Sequence, residues 1–162
     1  DENLLKQFIN EKDIKKPLTI SSRHHKKAIL KDSRLFSGAK KLLSQLKEKG
    51  YKLAVASNRP TRFSWILIRH LGLKKYLDYV LCADRLKQGK PNPEIMNKIL
   101  RRFSLKPENA LYVGDMVVDA QAGRRSKIKT VIVTTGSNTR PEIEKEGPFF
   151  IIPKIAQLLK LL

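Results

Sequence analysis

Along most of this chain, the spacing of apolar side chains alternates between two patterns. Short apolar runs predict buried β-strands, at residues 51–56, 79–82, 110–113, 130–133 and 149–152. Between these runs, apolar residues recur at the spacing of an amphipathic helix. Ser37, Thr61 and Asn92 suit helix starts, and Gly50 and Gly72 suit helix ends. The predicted helices cover residues 37–49, 61–71, 92–103, 118–125 and 155–162.

Strands that alternate with helices of about ten residues are typical of a parallel sheet with helices on both faces. We therefore expect an α/β fold with a Rossmann-like parallel sheet in residues 35–162. Residues 1–34 differ, because they are rich in lysine, interrupted at Pro17 and without a strand pattern. They predict part of a smaller helical appendage. In open parallel sheets, ligands bind beyond the carboxyl ends of the strands, so polar residues at those ends are the candidate site.

Two carboxylates follow the strand predicted at 110–113. Asp115 comes directly after Gly114, and Asp119 lies four residues further on. Hard cations such as Mg²⁺ take oxygen ligands grouped in this way. An Asp near a helix start can equally serve to cap the helix. The spacing alone leaves both interpretations open.

Two other segments carry groups that suit a phosphate. Ser57 and Asn58 follow the end of the strand predicted at 51–56, where a hydroxyl, an amide and free backbone N–H groups can donate to phosphoryl oxygens. Lys90 lies between Gly89 and Pro91, just ahead of a predicted helix. A lysine at such a place can act as a point charge on a phosphate and on a carboxylate.

Taken in this order, the three segments resemble motifs of the haloacid dehalogenase superfamily of phosphatases. Residues 56–58 are similar to its second motif, 89–91 to its third, and Gly114-Asp115 with Asp119 to its fourth. The branch that contains phosphoglycolate phosphatase and β-phosphoglucomutase is the most similar. The resemblance implies a family core in residues 35–162, a partial helical cap and hinge in 1–34, and a small phosphorylated metabolite as substrate.

The resemblance also implies a role for each site residue. Ser57 and Lys90 would be catalytic, and both would bind the phosphoryl group together with Asn58. Asp115 and Asp119 would hold Mg²⁺. The implied activity is Mg²⁺-dependent hydrolysis of a phosphomonoester through an aspartyl-phosphate, and a phosphomutase is a close variant.

One family motif is missing. The first motif is Asp-x-Asp-Gly-Thr after an apolar strand, and no Asp-x-Asp occurs in this chain. In the family its first Asp is the nucleophile and its second the general acid/base. Its strand lies between the strands that end here at Ala56 and Val113. We expect this chain to be a piece of a longer protein. The piece would lack that strand and part of the cap, and it would be inactive alone. The alternative is a catalytically inactive domain that serves as a binding or scaffold module, for RNA or another anionic partner.

Composition changes this picture only a little. The 162 residues include 34 Lys and Arg against 15 Asp and Glu, for a net charge of +19. The basic residues are dispersed and lack interleaved aromatic residues, so we expect no specific nucleic-acid recognition. The single cysteine, Cys82, allows no internal disulfide, which suits the cytoplasm. No apolar run has the length of a membrane span. The oligomeric state stays open.

Overall fold

The structure is a computed structural model that describes residues 33–162. Apart from Ser33 and Arg34, the predicted cap remnant lies outside the described residues. The described helices are α1 (Ala39–Glu48), α2 (Thr61–His70), α3 (Glu94–Phe103), α4 (Val117–Arg125) and α5 (Arg140–Glu144). The described strands are β1 (Ala54–Ser57), β2 (Tyr79–Cys82), β3 (Leu111–Gly114), β4 (Lys129–Val133) and β5 (Phe150–Ile152). Short 3₁₀ helices lie at Lys74–Tyr76, Ala83–Arg85, Pro107–Asn109 and Ile155–Lys160.

The strands form two parallel groups. Strand β1 pairs with β2, with Ala54 opposite Tyr79 and Ser57 opposite Cys82. The second group has the order β3-β4-β5, and both of its pairings are parallel. The predicted α/β fold with parallel strands and intervening helices is therefore confirmed. Because all pairings are parallel, β1 and β2 end together at one edge, and the strands of the second group do the same.

Helices cover both faces of the second group of strands. On one face, Leu42 and Leu46 of α1 pack with Val131 and Val133 of β4. On the other face, Ile132 of β4 packs with side chains of α4 and α5. Alternate residues of a strand point to opposite faces, so β4 serves both layers. Its apolar residues are buried on both sides, as expected for a central parallel strand.

Strands β1 and β3 are joined by helices and not by hydrogen bonds. Among residues 33–162, β1 pairs only with β2, and β3 pairs only with β4. Helix α1 packs against both Leu53, which precedes β1, and Val113 of β3. Helix α3 packs with Leu81 of β2 and with Tyr112 of β3. We call the space between the unpaired sides of β1 and β3 the β1–β3 gap, and it lies where the family resemblance implies a missing strand.

Two boundaries differ from the sequence prediction at the ends of α1. The helix begins at Ala39, after Gly38 with φ of 80°, and no side chain caps it. The predicted cap at Ser37 is therefore wrong. At the other end, Gly50 has φ of 83°, and the N–H of the following residue donates to Leu46 O at 3.0 Å. This closing turn uses the first residue of the predicted strand, so β1 begins three residues later than predicted.

The predicted helix at 155–162 is instead a 3₁₀ helix over Ile155–Lys160. Its buried Leu158 belongs to the same core cluster as α1. This terminal segment therefore packs against α1. Within residues 33–162, no helix combines the length and apolar character that a membrane span requires.

Candidate active site

Ser57 stands at the carboxyl end of β1, where the chain turns toward α2. Its hydroxyl oxygen accepts a hydrogen bond from the backbone N–H of Arg59 at 3.0 Å. Because this bond uses an oxygen lone pair, the hydroxyl hydrogen can donate to another acceptor. The structure thus places the predicted phosphate-binding hydroxyl at the edge of the sheet where ligands are expected.

Lys90 reaches across the mouth of the β1–β3 gap. Its ammonium donates to Asp119 Oδ1 at 2.6 Å, to the Tyr112 hydroxyl at 3.0 Å and to the carbonyl of Ala56 at 3.2 Å. These contacts use all three ammonium hydrogens. The Lys90 and Asp119 side chains are only 10% and 5% exposed, so little solvent screens the ion pair. The structure thereby brings together two of the predicted site residues at the ends of β1 and β3.

Asn58 contacts the backbone of Lys90 through both ends of its amide. Its Oδ1 accepts from the Lys90 N–H at 2.7 Å, and its Nδ2 donates to the Lys90 carbonyl at 2.9 Å. The sequence prediction gave this amide to a phosphate ligand. In the structure, the amide oxygen and one amide hydrogen already have partners on the chain.

Asp119 uses both carboxylate oxygens. Oδ1 accepts from Lys90 and from the Tyr112 hydroxyl, the latter at 2.5 Å. Oδ2 accepts from the backbone N–H groups of Asp115 and Met116, each at 3.1 Å. Burial by itself would raise the pKa of Asp119, but the Lys90 charge and these hydrogen bonds outweigh it and hold the pKa below its ordinary value. Asp119 is therefore an ionised anchor for Lys90 and for the turn after β3.

Asp115 has different surroundings. Burial raises its pKa, the negative charge of Asp119 adds to that rise, and Lys90 offsets part of it. A partly buried carboxylate beside a second carboxylate is stabilised by a cation. Asp115 therefore fits a metal ligand. Within residues 33–162, no group of three or more His, Cys, Asp or Glu side chains is arranged to hold a metal, so Asp115 would need ligands from elsewhere.

The turn after β3 depends on two glycines. A Cβ on Gly114 would lie 2.3 Å from the Asp119 Cβ, and one on Gly136 would lie 2.0 Å from the Asp115 carbonyl oxygen. Both distances are far below van der Waals contact. The loop after β4 adds Asn138, whose Oδ1 accepts from the Val117 N–H at 3.0 Å at the start of α4. Close packing on both sides therefore fixes the direction of the two acidic residues.

The residues that form this site also match a known protein family. The family described as haloacid dehalogenase-like hydrolase matches residues 1–133, which include all five predicted site residues. The chain belongs to the haloacid dehalogenase-like hydrolases.

The chain is also similar to individual proteins that are named as phosphatases. Phosphoglycolate phosphatase of Haemophilus influenzae is 34% identical over 130 residues, which are 80% of this chain and 58% of the relative. Phosphoglycolate phosphatase of Nitrosococcus oceani is 30% identical over 132 residues, 82% of this chain and 59% of the relative. The chain thus spans about three fifths of the length of these curated relatives. The crystal structure of a predicted phosphoglycolate phosphatase from Haemophilus somnus is 28% identical, with a TM-score of 0.87, and covers 97% of this chain and 71% of its own.

Sequence reasoning missed Tyr112 in this haloacid dehalogenase-like site. Its hydroxyl bonds both Lys90 and Asp119, and burial followed by the Asp119 charge raises its pKa, so the phenol stays protonated. The available signal was a phenol within an otherwise apolar strand, because a buried tyrosine hydroxyl needs a partner. Gly136 and Asn138 were missed as well, since their contacts are made across more than 20 residues of chain.

Proposed function

We propose that this protein hydrolyses phosphomonoesters of small metabolites, with Mg²⁺ as cofactor. The observation that carries this proposal is the Lys90 ammonium, held at the carboxyl ends of β1 and β3 by Asp119 and by the Ala56 carbonyl. Ala56, whose carbonyl accepts from Lys90, immediately precedes Ser57 in the chain. The relatives named phosphoglycolate phosphatase support a small, carboxylate-bearing phosphate ester as the substrate.

The roles follow from charge and hydrogen-bonding capacity. The Ser57 hydroxyl and the backbone N–H groups ahead of α2 would donate to the phosphoryl oxygens. The Lys90 ammonium would offset the charge of the transferring group in a site shielded from water. The ion pair with Asp119 fixes the position of the Lys90 ammonium before the substrate arrives. A preorganised charge of this kind costs no reorganisation during the reaction.

Asp115 would be the metal ligand of this chain, and Asp119 would orient the turn that carries it. This differs from the sequence prediction, which gave the two carboxylates equal parts. The four hydrogen bonds on Asp119 favour the orienting part. Bound Mg²⁺ would supply charge stabilisation for the phosphoryl oxygens.

The nucleophile would come from outside the described residues. The resemblance implies an aspartate at the end of a strand, and the β1–β3 gap gives such a strand a place in the sheet. Its carboxylate would attack phosphorus and expel the alcohol, and water would then release phosphate from the aspartyl-phosphate. The unpaired sides of β1 and β3 and the shorter length of the chain support this part of the proposal.

The absence of an Asp-x-Asp motif from this chain leads to a second candidate function. Without an Asp-x-Asp motif, the chain could keep the anion site formed by Ser57 and Lys90 and lack hydrolysis. It would then be a binding module for an anionic partner. Substitution at Lys90 separates these functions. Anion binding requires only a positive charge at position 90, whereas catalysis requires that charge at the exact position of the Lys90 ammonium.

The test uses the protein extended by its native upstream sequence, assayed with a generic phosphomonoester. We expect Lys90→Met to lower kcat by about 100-fold or more. Lys90→Met also leaves the buried Asp119 charge without its partner, so we expect a lower melting temperature. Lys90→Arg keeps the positive charge beside Asp119, and we expect it to melt closer to wild type than Lys90→Met does. We still expect it to lose about 100-fold in kcat, because the guanidinium cannot reproduce the three contacts of Nζ.

Lys106→Met is the matched control, because this lysine is exposed and precedes the start of β3, away from the carboxyl edge. We expect it to keep the wild-type rate. Wild-type turnover in Lys90→Arg would contradict the proposed function, and anion binding with no turnover in the extended wild-type protein would favour the binding module.

A further inference from the structure

We propose that Asn58 is a positioning residue, which acts by fixing the backbone of Lys90, and not a ligand of the phosphate. This inference rests on the proposed function, because it concerns how the Lys90 charge is put in place. Asn58 would have no effect on turnover except through Lys90.

The contact is a matched pair of hydrogen bonds. One residue of backbone presents an N–H donor and a C=O acceptor, and a primary amide presents an acceptor and a donor in return. Asn58 and Lys90 meet in this way at 2.7 and 2.9 Å. Asp at position 58 would keep the acceptor and lose the donor. Ala would lose both.

The loop that contains Gly89 and Lys90 packs closely against the Asn58 amide. A Cβ on Gly89 would lie 2.8 Å from Asn58 Oδ1 and 3.1 Å from the Ala83 Cβ. Gly89 therefore lets the backbone come close enough for Lys90 to bond the amide. The ends of the same loop are held separately, by Glu94 Oε2 on the Lys87 N–H at 3.1 Å and by Arg125 on the Pro91 carbonyl.

Asn58 therefore ties the middle of the loop to the end of β1. Ser57 is its immediate neighbour in the chain, so one turn of backbone both carries the hydroxyl and holds the lysine. A shift of the loop would move the ammonium relative to the hydroxyl. Misplacement by about 1 Å can cost about 100-fold in rate without any loss of a reacting group.

A ligand role makes a different prediction. Asn58 is exposed, and its second amide hydrogen could reach a phosphoryl oxygen. Removal of a phosphate contact would weaken the binding of inorganic phosphate and would do so whichever side chain stands at position 90. Removal of a positioning contact would matter only while Lys90 is there to be positioned.

A double-mutant cycle separates the two roles. The extended protein is compared as wild type, Asn58→Ala, Lys90→Arg and the double variant. We expect Asn58→Ala to lower kcat by about 10- to 100-fold, with KM and inhibition by inorganic phosphate changed less than about 2-fold. In the Lys90→Arg background, we expect Asn58→Ala to cause no further loss. Asn109→Ala, at an exposed asparagine in the 3₁₀ helix before β3, is the matched control and should keep the wild-type rate.

Three results would overturn the inference. These are a wild-type kcat in Asn58→Ala, an equal loss in both backgrounds, and weaker phosphate inhibition in Asn58→Ala. If Asn58→Ala does not melt cooperatively, Asn58→Asp replaces it, with a smaller loss that again disappears in the Lys90→Arg background. The proposed function fails separately, because it requires Lys90→Arg itself to be slow.

Discussion

Asp119 combines several interactions in one carboxylate. It receives one charged donor, one phenol and two backbone N–H groups. A buried charge is costly unless it is paired and hydrogen-bonded, and each of these donors lowers that cost. The same four bonds leave few lone pairs for a cation. Asp119 and Asp115 therefore have different surroundings although they lie only four residues apart.

This difference gives a prediction for metal binding. In calorimetric titrations of the extended protein with Mg²⁺, we expect Asp115→Asn to weaken the affinity by at least about 10-fold, since a neutral amide is a poorer ligand for a hard cation. Glu108→Gln, at an exposed acid before β3, should bind as the wild type does. Equal Mg²⁺ affinity in Asp115→Asn and wild type would remove Asp115 from the metal site.

At the scale of single residues, the sequence predicts which groups lie at the site but does not predict their hydrogen-bond partners. Ser57, Lys90 and Asp115 follow strands or precede a helix, and local patterns identify such positions. The use of the Asn58 amide by Lys90 depends on a contact between residues 32 apart in the chain. No local pattern contains that contact, so an assignment to phosphate was the natural reading of a polar side chain beside Ser57.

At the scale of elements, Asp78 joins three of them. Its carboxylate accepts from Lys47 of α1 at 2.8 Å and from the Leu53 N–H at 2.8 Å, just ahead of β1. Asp78 itself precedes β2, and its own N–H donates to the Leu53 carbonyl at 2.8 Å. The amino ends of β1 and β2 are thus fastened together and to α1.

This junction gives a prediction with a defined pH dependence. The hydrogen bond from Lys47, followed by that from Leu53, lowers the pKa of Asp78 below the ordinary value of 3.8. Its stabilisation is therefore fully present above that value and is lost as the pH falls through the lower folded-state pKa. In urea unfolding of the extended protein, we expect Asp78→Asn to cost about 1 kcal/mol at pH 7, and the difference from wild type to shrink below pH of about 3.8.

Lys52→Met is the comparison, because the Lys52 amine is 3.8 Å from Asp78 and its side chain is 62% exposed. An exposed ion pair of this kind contributes little, and we expect this variant to unfold within about 0.5 kcal/mol of wild type. A difference between Asp78→Asn and wild type that stays constant down to strong acid would show that ionisation of Asp78 is not its cause.

Element types were more predictable than element ends. The type of an element can be predicted because burial determines the spacing of its apolar residues. Strand β2, for example, was predicted at its observed residues. Ends depend on closing turns and on tertiary packing. The turn at Gly50 makes β1 begin later than predicted, and the predicted C-terminal helix is a 3₁₀ helix that packs against α1.

At the scale of the whole molecule, the helices hold together two groups of strands that share no hydrogen bond within residues 33–162. Parallel strands in a covered sheet are normally buried on both faces. Within residues 33–162, the sides of β1 and β3 at the gap have no strand partner, and backbone N–H and C=O groups without partners are costly where they are buried. A strand in the gap would pair both sides and also bring a carboxylate to Lys90.

The last prediction separates these two effects of the missing strand. We compare the chain of residues 1–162, the protein extended by its native upstream sequence, and the extended protein with Asn in place of the first Asp of the Asp-x-Asp motif that we expect upstream. We expect the extended protein to unfold cooperatively in urea and to hydrolyse phosphomonoesters. The Asn variant should keep that unfolding and lose turnover by several orders of magnitude. The chain of residues 1–162 alone should show neither cooperative unfolding nor turnover. If it turned over at the rate of the extended protein, the nucleophile would lie within these 162 residues. The gap would then need no strand for catalysis.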